Sequence, residues 1–244
     1  MYWKDAVLLV AGKGERLAPH TKTKPKPLTE VNGVPLLKNA IVNLKSVGVE
    51  RVHLVTGHLC DVLMDAVKSW KFDIEIDEIF SATFAQTNNM YSLWLAREIL
   101  RQGCFVVEGD VFFGPDFLPK LDLQYSETSY WFADVFTENL EGCMLTTNDG
   151  SRISKLEIIR RQHPENYENK YKSAGILSVT PEYGRKLTQW LSDDIEKGRT
   201  DVYFDLVVAD HLAEAELHVL NIHGCSWIEI DDERDLRIAS QMSF

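Results

Sequence analysis

The chain has 244 residues, 45% of them hydrophobic and 26% charged, and a formal net charge of −11. That length supports one large domain with a buried core, the composition excludes wholesale disorder, and the acidic balance argues against a general nucleic-acid binder. No apolar run reaches the length of a membrane span, the Met-Tyr-Trp-Lys-Asp start lacks signal-peptide character, and Cys60, Cys104, Cys143 and Cys225 form no Cys-x-x-Cys pair, which points to a reduced, cytoplasmic protein.

Asp5 to Ala11 is a continuous apolar run of strand length, the pattern of a parallel strand covered on both faces. It breaks at Gly12 and Gly14, and from Lys13 to Lys26 the chain carries five cations against one acid. Glycines let a backbone approach phosphates closely and cations neutralise them, so the stretch predicts an exposed polyphosphate-binding loop. Asn32-Gly33 marks a tight turn, Pro35 opens a helix to about Val47, and Gly48 caps it. Arg51 to Thr56 reads as a strand and Asp61 to Trp70 as a helix. Phe72 to Ile79 alternates apolar and acidic residues, as an exposed or edge strand would. Gln86 to Asn89 is polar and leads into a helix over Met90 to Leu100. Cys104 to Val107 is a buried strand that ends in Glu108-Gly109-Asp110.

In the second half, Ser129 to Val135, Cys143 to Thr146 and Ile153 to Ile158 read as short strands, the last two joined by an Asn148-Asp149-Gly150 hairpin turn. Arg160 to Lys172 is polar and reads as a mobile loop. Ala174 to Val179 is a strand, Pro181 opens an amphipathic helix to about Ile195, and Asp201 to Leu212 is a further helix. Leu217 to Ile222 and Trp227 to Ile230 are strands, and Asp232 to Met242 closes the chain as a helix. The alternation predicts an α/β fold: a Rossmann-like, doubly wound mixed sheet, mostly parallel, with helices on both faces. No repeat or boundary interrupts residues 1–244, so a single domain is expected, with a nucleotide-binding half to about 125 and an acceptor-binding half from about 126.

Gly12-x-Gly14 alone is weak: the third glycine of a dinucleotide fingerprint and the Lys-Ser/Thr end of a P-loop are both missing. Its weight comes from Arg16-Leu17-x-Pro19-x-Thr21 and from Pro25-Lys26-Pro27-Leu28, where two prolines fix the backbone of Lys26. Asp110, at the carboxyl end of a buried strand, faces the place where open α/β sheets bind ligands. Glu229 and Asp231 share one face of a strand and could converge on Asp110, giving hard oxygen ligands suited to Mg²⁺ beside a triphosphate. Asp232 reads as the cap of the last helix, with Asp235 in its first turn. Blander readings stand beside these: a cap or solvated turn for Asp110, helix capping for Asn88 or Asn89, and helix packing for Tyr203 and Phe204.

Gly12-Lys13-Gly14-Glu15-Arg16-Leu17 with Pro25-Lys26-Pro27-Leu28 resembles the signature of nucleotidyltransferases that couple an NTP to a phosphorylated sugar or alcohol. The resemblance implies that Leu9, Ala11, Gly12, Lys13 and Gly14 wrap the triphosphate. It also implies that Arg16, Lys26 and Asp110 are catalytic and that Mg²⁺ is held by Asp110, Glu229 and Asp231. Trp227-x-Glu229-x-Asp231 departs from the Trp-x-Asp-x-Gly of many sugar enzymes. With Thr87-Asn88-Asn89-Met90-Tyr91-Ser92-Leu93 it resembles the phosphocholine cytidylyltransferase type, in which Thr87, Asn88, Asn89 and Ser92 would read the nucleotide through donor and acceptor pairs.

Asp201-Val202-Tyr203-Phe204-Asp205 resembles that type's acidic-aromatic segment facing a cationic head group. Lys172-Ser173-Ala174-Gly175 matches a family position lining the acceptor, so the resemblance implies Lys172, Gly175, Asp201 and Tyr203 as acceptor-binding residues. The tryptophan that phosphocholine enzymes carry near the position of Glu141-Gly142-Cys143 is absent, which leaves 2-aminoethylphosphonate, an amino-acid phosphate or a polyol phosphate open. The implied partners are CTP and a small phosphorylated acceptor, with no nucleic acid and no membrane; a homo-oligomer is left open. The implied product is a CDP-activated small molecule for surface-polymer or phosphonate assembly. Three other readings stay in view: a sugar-1-phosphate nucleotidyltransferase using UTP or dTTP, a catalytically silent regulatory homologue, and a dinucleotide-binding oxidoreductase.

Overall fold

The computed structural model describes residues 3–121, 127–148 and 150–244. The first half places strands β1 (Asp5–Leu9), β4 (Arg51–Thr56), β5 (Glu75–Phe80) and β6 (Cys104–Glu108) side by side and parallel, in the order β6-β1-β4-β5. Between β1 and β4 come a small hairpin, β2 (Glu30–Val31) with β3 (Val34–Pro35), and helix α1 (Leu36–Ser46). Helix α2 (Cys60–Ser69) follows β4, and α3 (Asn89–Leu95) with α4 (Arg97–Leu100) precedes β6. The unbroken apolar run of β1 has a direct cause: Val7 and Leu9 enter one core with Cys104 and Val106, while Ala6 and Leu8 enter another with Phe105 and Val107. Alternate residues of a strand point to opposite faces, so covering both faces demands apolar residues throughout. The second face is covered by Leu37 and Ile41 of α1 and Leu63 and Val67 of α2.

After β6 come β7 (Val111–Phe113), β8 (Tyr130–Val135), β9 (Gly142–Thr147), β10 (Ile153–Ile159) and the long β11 (Lys170–Val179). Helices α5 (Pro181–Glu196) and α6 (Phe204–Asp210), strands β12 (His218–Asn221) and β13 (Trp227–Glu229), and helix α7 (Glu233–Ala239) complete the chain. Strand β11 runs antiparallel to β6 at one end and to β9 at the other, with β8 along its other side. This joins both halves in one mixed nine-stranded sheet among the described residues, β10-β9-β11-β6-β1-β4-β5, to which β8 and β12 attach. Leu187 and Leu191 of α5 and Phe204 of α6 close the first core together with Met90 and Leu93 of α3.

The structure adjusts several expected elements. Asn32 (φ 50°) and Gly33 (φ 81°) are both left-handed, as a two-residue hairpin turn requires, and this draws Pro35 into β3 so that the helix starts at Leu36. The helix expected over Met90 to Leu100 is interrupted at Ala96, beyond which Arg97 lies over the Trp94 ring at 4.1 Å. The polar loop expected to end at Lys172 ends at Asn169, because Lys170 to Lys172 already pair with β9. Asp201 and Val202 lie in a turn, and α6 starts only at Phe204. Of the Asn148-Asp149-Gly150 turn, Asp149 lies outside the described residues, as do Met1 and Tyr2 of the expected start. Gly150 has φ 90°, and Asn148 N–H donates to Arg152 O at 2.9 Å. Not foreseen is the antiparallel ribbon of β7 with β13, which aligns Glu229 with Val111 and lets Ile230 N–H donate to Asp110 O at 2.9 Å. Among the described residues no helix is long and apolar enough to cross a membrane.

Candidate active site

The site lies where β1 and β6 end. Gly109 N–H donates to Leu9 O at 3.1 Å, and a Cβ at residue 109 would come within 2.8 Å of that oxygen and of Val10 Cγ1. The glycine therefore lets the end of β6 close on the end of β1 and brings Asp110 beside the loop that follows β1. Gly14 is left-handed (φ 63°), and a Cβ there would sit 2.7 Å from Lys26 Cβ, so the loop folds directly onto Lys26. Thr21 Oγ1 locks that fold by donating to Gly14 O at 2.8 Å. Pro25 is extended and Lys26–Leu28 forms one 3₁₀ turn, with Leu28 buried in the second core. The loop was expected to be exposed; the Lys26 side chain is instead 13% exposed.

Lys26 Nζ donates to Asp110 Oδ2 at 2.9 Å and to Asp231 Oδ1 at 3.0 Å, and Arg16 donates to the same Asp231 oxygen at 2.8 Å. Burial works to lower the Lys26 pKa, but the two carboxylates outweigh it and hold the ammonium charged well above the usual lysine range. Asp231 is the converse: burial pushes it up, yet Lys26 and Arg16 hold its carboxyl below the usual range. Leu17, next to Arg16, is fully buried, which contributes about 2 kcal/mol of hydrophobic stabilisation to the loop.

The expected trio of Mg²⁺ ligands is not assembled as such. Among the described residues no three His, Cys, Asp or Glu side chains are grouped to hold a metal. Lys26 lies between Asp110 and Asp231, while Glu229 accepts from Lys172 Nζ at 2.7 Å. Asp110 Oδ1, however, is buried without a hydrogen-bond partner. A buried carboxylate oxygen with no donor is costly unless a cation meets it, so Asp110 fits a hard divalent ion, with Asp231 beside Lys26 and Glu229 held by Lys172.

A second cluster gathers residues from three strands and a helix: Lys172 from β11, Glu108 from β6, Glu229 from β13 and Asp205 from α6. Lys172, 5% exposed, also donates to Ser173 O at 2.9 Å and lies 5.9 Å from the Trp227 ring. Around it stand Glu229, Glu108 and Asp205. Burial pushes Glu108 well above the usual carboxyl range, and Asp205, Asp110 and Glu229 add to the effect against the opposing pull of Lys172. Burial likewise pushes Asp205 up to about 7 and raises Glu229, with Lys172 opposing both. Lys172 itself is lowered by burial and raised by Glu229, with a net rise. Glu108 is held in place from two sides. Asn89 Nδ2 donates to Glu108 Oε1 at 2.9 Å, and Gly175 (φ 66°) leaves room where a Cβ would stand 2.8 Å from Glu108 Oε2.

Other expected site residues fall differently. The Asn89 side chain serves as a strut: its Nδ2 holds Glu108 and its Oδ1 accepts from Phe204 N–H at 2.8 Å. Asn88 caps α3 by accepting from Asn89 N–H at 2.8 Å, Thr87 Oγ1 donates to Thr83 O at 3.0 Å, and Ser92 is buried within α3. Leu9 and Ala11 are buried at the carboxyl end of β1, and Lys13 is exposed, 3.7 Å from Glu15. Asp201 is exposed, and Tyr203, 40% exposed, stands at the start of α6; the buried acid of that segment is Asp205. Glu108 and Asp205 were missed as site residues. The signal for Glu108 was an acid ending an apolar strand; nothing in the spacing joined it to Asp205.

A glycine loop at the carboxyl edge of an α/β sheet, with cations set against Asp110, defines a nucleotide-handling site of the transferase kind. The chain belongs to the MobA-like NTP transferase domain family, whose model matches residues 6–162. It is similar to the CMP-5'-(3-aminopropyl)phosphonate synthase of Streptomyces rubellomurinus, with 31% identity over 96% of this chain; the chain spans 38% of that relative's length. It is also similar to the 2-aminoethylphosphonate cytidylyltransferase of Lancefieldella rimae, with 25% identity over 95% of this chain and 90% of the relative. The solved CTP:phosphocholine cytidylyltransferase of Streptococcus pneumoniae superposes with a TM-score of 0.83 and 25% identity over 97% of both chains. The chain is thus a nucleotidyltransferase, and two of these three similar proteins are named cytidylyltransferases.

Proposed function

We propose that this chain transfers cytidylyl from CTP to a small phosphonate or phosphate acceptor that carries a cationic amine, with release of pyrophosphate. The observation that carries the reading is the division of one site into a cation-bearing side (Arg16, Lys26) and a carboxylate side (Glu108, Asp205, Glu229). The names of the relatives support the nucleotide and the amine-bearing acceptor.

An anionic oxygen of the acceptor attacks the α-phosphorus. The new O–P bond forms as the bond to the β-phosphate oxygen breaks, and the electron pair leaves with pyrophosphate. The nucleophile is already ionised, so no general base is needed and catalysis rests on positioning and charge. Lys26 and Arg16 exchange their carboxylate partners for phosphate oxygens and stabilise the charge that builds on them. A Cβ at Gly12 would meet no atom within 4 Å, so nothing in the chain itself requires glycine there; close approach of phosphate supplies the reason. Mg²⁺, held by Asp110 and Asp231, would offset the charge of two anions brought together.

On the acceptor side, Glu108 and Asp205 share the charge of Lys172 with Glu229, to which Lys172 is hydrogen-bonded, and this excess of carboxylates favours an acceptor that brings an ammonium. The product is a CMP-phosphonate or a CDP-alcohol. All four cysteines are free thiols, in keeping with a cytoplasmic setting.

Pyrophosphate release measured over four NTPs and a panel of aminoalkyl phosphonates, phospho-alcohols and hexose-1-phosphates tests the proposal. Turnover with CTP and an amine-bearing acceptor is expected; turnover with hexose-1-phosphates alone would overturn it, and none with any pair would favour a silent homologue.

A further inference from the structure

We propose that helix α7 and the β7–β13 ribbon form a cradle that positions the nucleotide loop through Leu17, making Leu17 a positioning residue for Arg16. The inference rests on the reading of that loop as the triphosphate site. Leu17 sits in the most cationic stretch of the chain and is nonetheless fully buried. It belongs to neither large core. It packs in a separate cluster with Val31, Leu36, Phe112, Ile230 and Ala239, with Leu236 beside them. The cluster is therefore built from the hairpin, α1, the ribbon and α7, elements that meet only in the folded chain.

Three further observations give the cradle its purpose. The backbone–backbone hydrogen bonds made by Leu17, Ala18 and Lys22 are internal to the loop, Leu17 N–H to Gly14 O at 3.0 Å, Ala18 N–H to Glu15 O at 3.1 Å and Lys22 N–H to Pro19 O at 3.1 Å, and Thr21 O meets the His58 ring at 3.4 Å. Placement of the loop on the domain is thus left to side chains. The anchors are also in register, because Leu17 shares its cluster with Ile230 while the preceding Arg16 pairs with the following Asp231. Finally, α7 fixes that register, since Asp235 accepts from the backbone N–H groups of both Asp231 and Asp232, at 2.9 and 3.1 Å. Arg16 must give up Asp231 to meet a phosphate, and the apolar anchor is what holds the loop in place when it does.

The test uses the full chain with Leu17→Ala, the volume-conserving Leu17→Met, and Leu236→Ala, which alters the cradle from α7 and leaves the loop sequence unchanged. CTP affinity is measured by titration calorimetry, KM for CTP and for the acceptor by steady-state kinetics, and integrity by thermal melting and far-ultraviolet circular dichroism. Leu17→Ala and Leu236→Ala are expected to weaken CTP binding about tenfold or more, to leave acceptor KM within about twofold, and to keep the native spectrum; Leu17→Met is expected to restore CTP binding. CTP binding within twofold of wild type in both alanine variants overturns the cradle, as does equal loss of both substrates together with the native spectrum. A wild-type chain that binds none of four nucleoside triphosphates overturns the loop reading, and the cradle with it.

Discussion

The two sides of the site use a buried lysine in opposite ways. Around Lys26, two cations share two carboxylates, Asp110 and Asp231, so the charges cancel and the pairing can be exchanged for phosphate. Around Lys172, one cation faces Glu108, Asp205 and Glu229, and the imbalance is relieved in part by burial driving carboxyl groups towards their neutral form. The first arrangement suits an anion that brings more negative charge than Asp231 can offer. The second suits a ligand that brings a positive one. The lesson is that one sheet edge can be polarised by how many carboxylates each of two similar side chains meets: two shared with a second cation around Lys26, three around Lys172.

Breaking the phosphate side should have the largest effect. Lys26→Ala is expected to lower turnover by about 10³-fold, the scale of losing a main transition-state charge. Because Lys26 is buried, the variant should also lose stability, on the order of 2–3 kcal/mol, as Asp110 and Asp231 are left facing each other. Steady-state kinetics with a thermal melt separates the two losses; turnover within tenfold of wild type would mean that the phosphate side is not the electrostatic centre.

Breaking the acceptor side should be selective. Glu108→Gln and Asp205→Asn are each expected to raise KM for an amine-bearing acceptor by about 10- to 100-fold and to move KM for CTP by no more than about twofold. A larger change for CTP than for the acceptor would erase the contrast between the two sides.

Acidity sharpens the comparison without mutation. With Asp205 pushed up to about 7, its carboxyl protonates as pH falls from 8 to 6, and KM for an amine acceptor should rise by up to about tenfold per pH unit. Asp205→Asn should flatten that profile. The stability effect has the opposite direction. Folding raises this pKa from its ordinary 3.8 to about 7, so the folded chain binds the proton more tightly. The resulting stabilisation is full below about pH 4 and is lost as pH climbs towards 7, which melts of wild type and Asp205→Asn over pH 4 to 7 should reveal. The smallest effect belongs to the rim: Glu233→Gln removes an exposed 3.5 Å pairing with His20 and should change KM for CTP by less than about twofold.

The phosphate side was legible because its information is local. Gly12, Gly14, Arg16 and Lys26 lie within one loop, and Pro25 and Pro27 restrict the backbone whatever surrounds them. The parallel strands were legible too, since a face covered on both sides leaves a continuous apolar run such as Asp5 to Ala11. The acceptor side was not. Asn89 was read as a base contact, but its partners are Glu108 and a backbone N–H 115 residues away, and a side chain with two hydrogen-bonding ends carries no local mark of which partners it meets. Asp201 and Asp205 look alike in sequence; only the start of α6 at Phe204 turns Asp205 inward and leaves Asp201 in solvent.

By itself, then, the sequence determined an α/β sheet with a glycine- and cation-rich loop after its first strand, because strand burial and proline-fixed turns are written in contiguous residues. The tertiary structure decided that Lys26 is buried between Asp110 and Asp231 and that Glu229 answers Lys172. It also decided that Glu108 and Asp205 gather beside Lys172 and Glu229. Those outcomes depend on Coulomb interactions and desolvation between segments that meet only when β11 joins the two halves of the sheet.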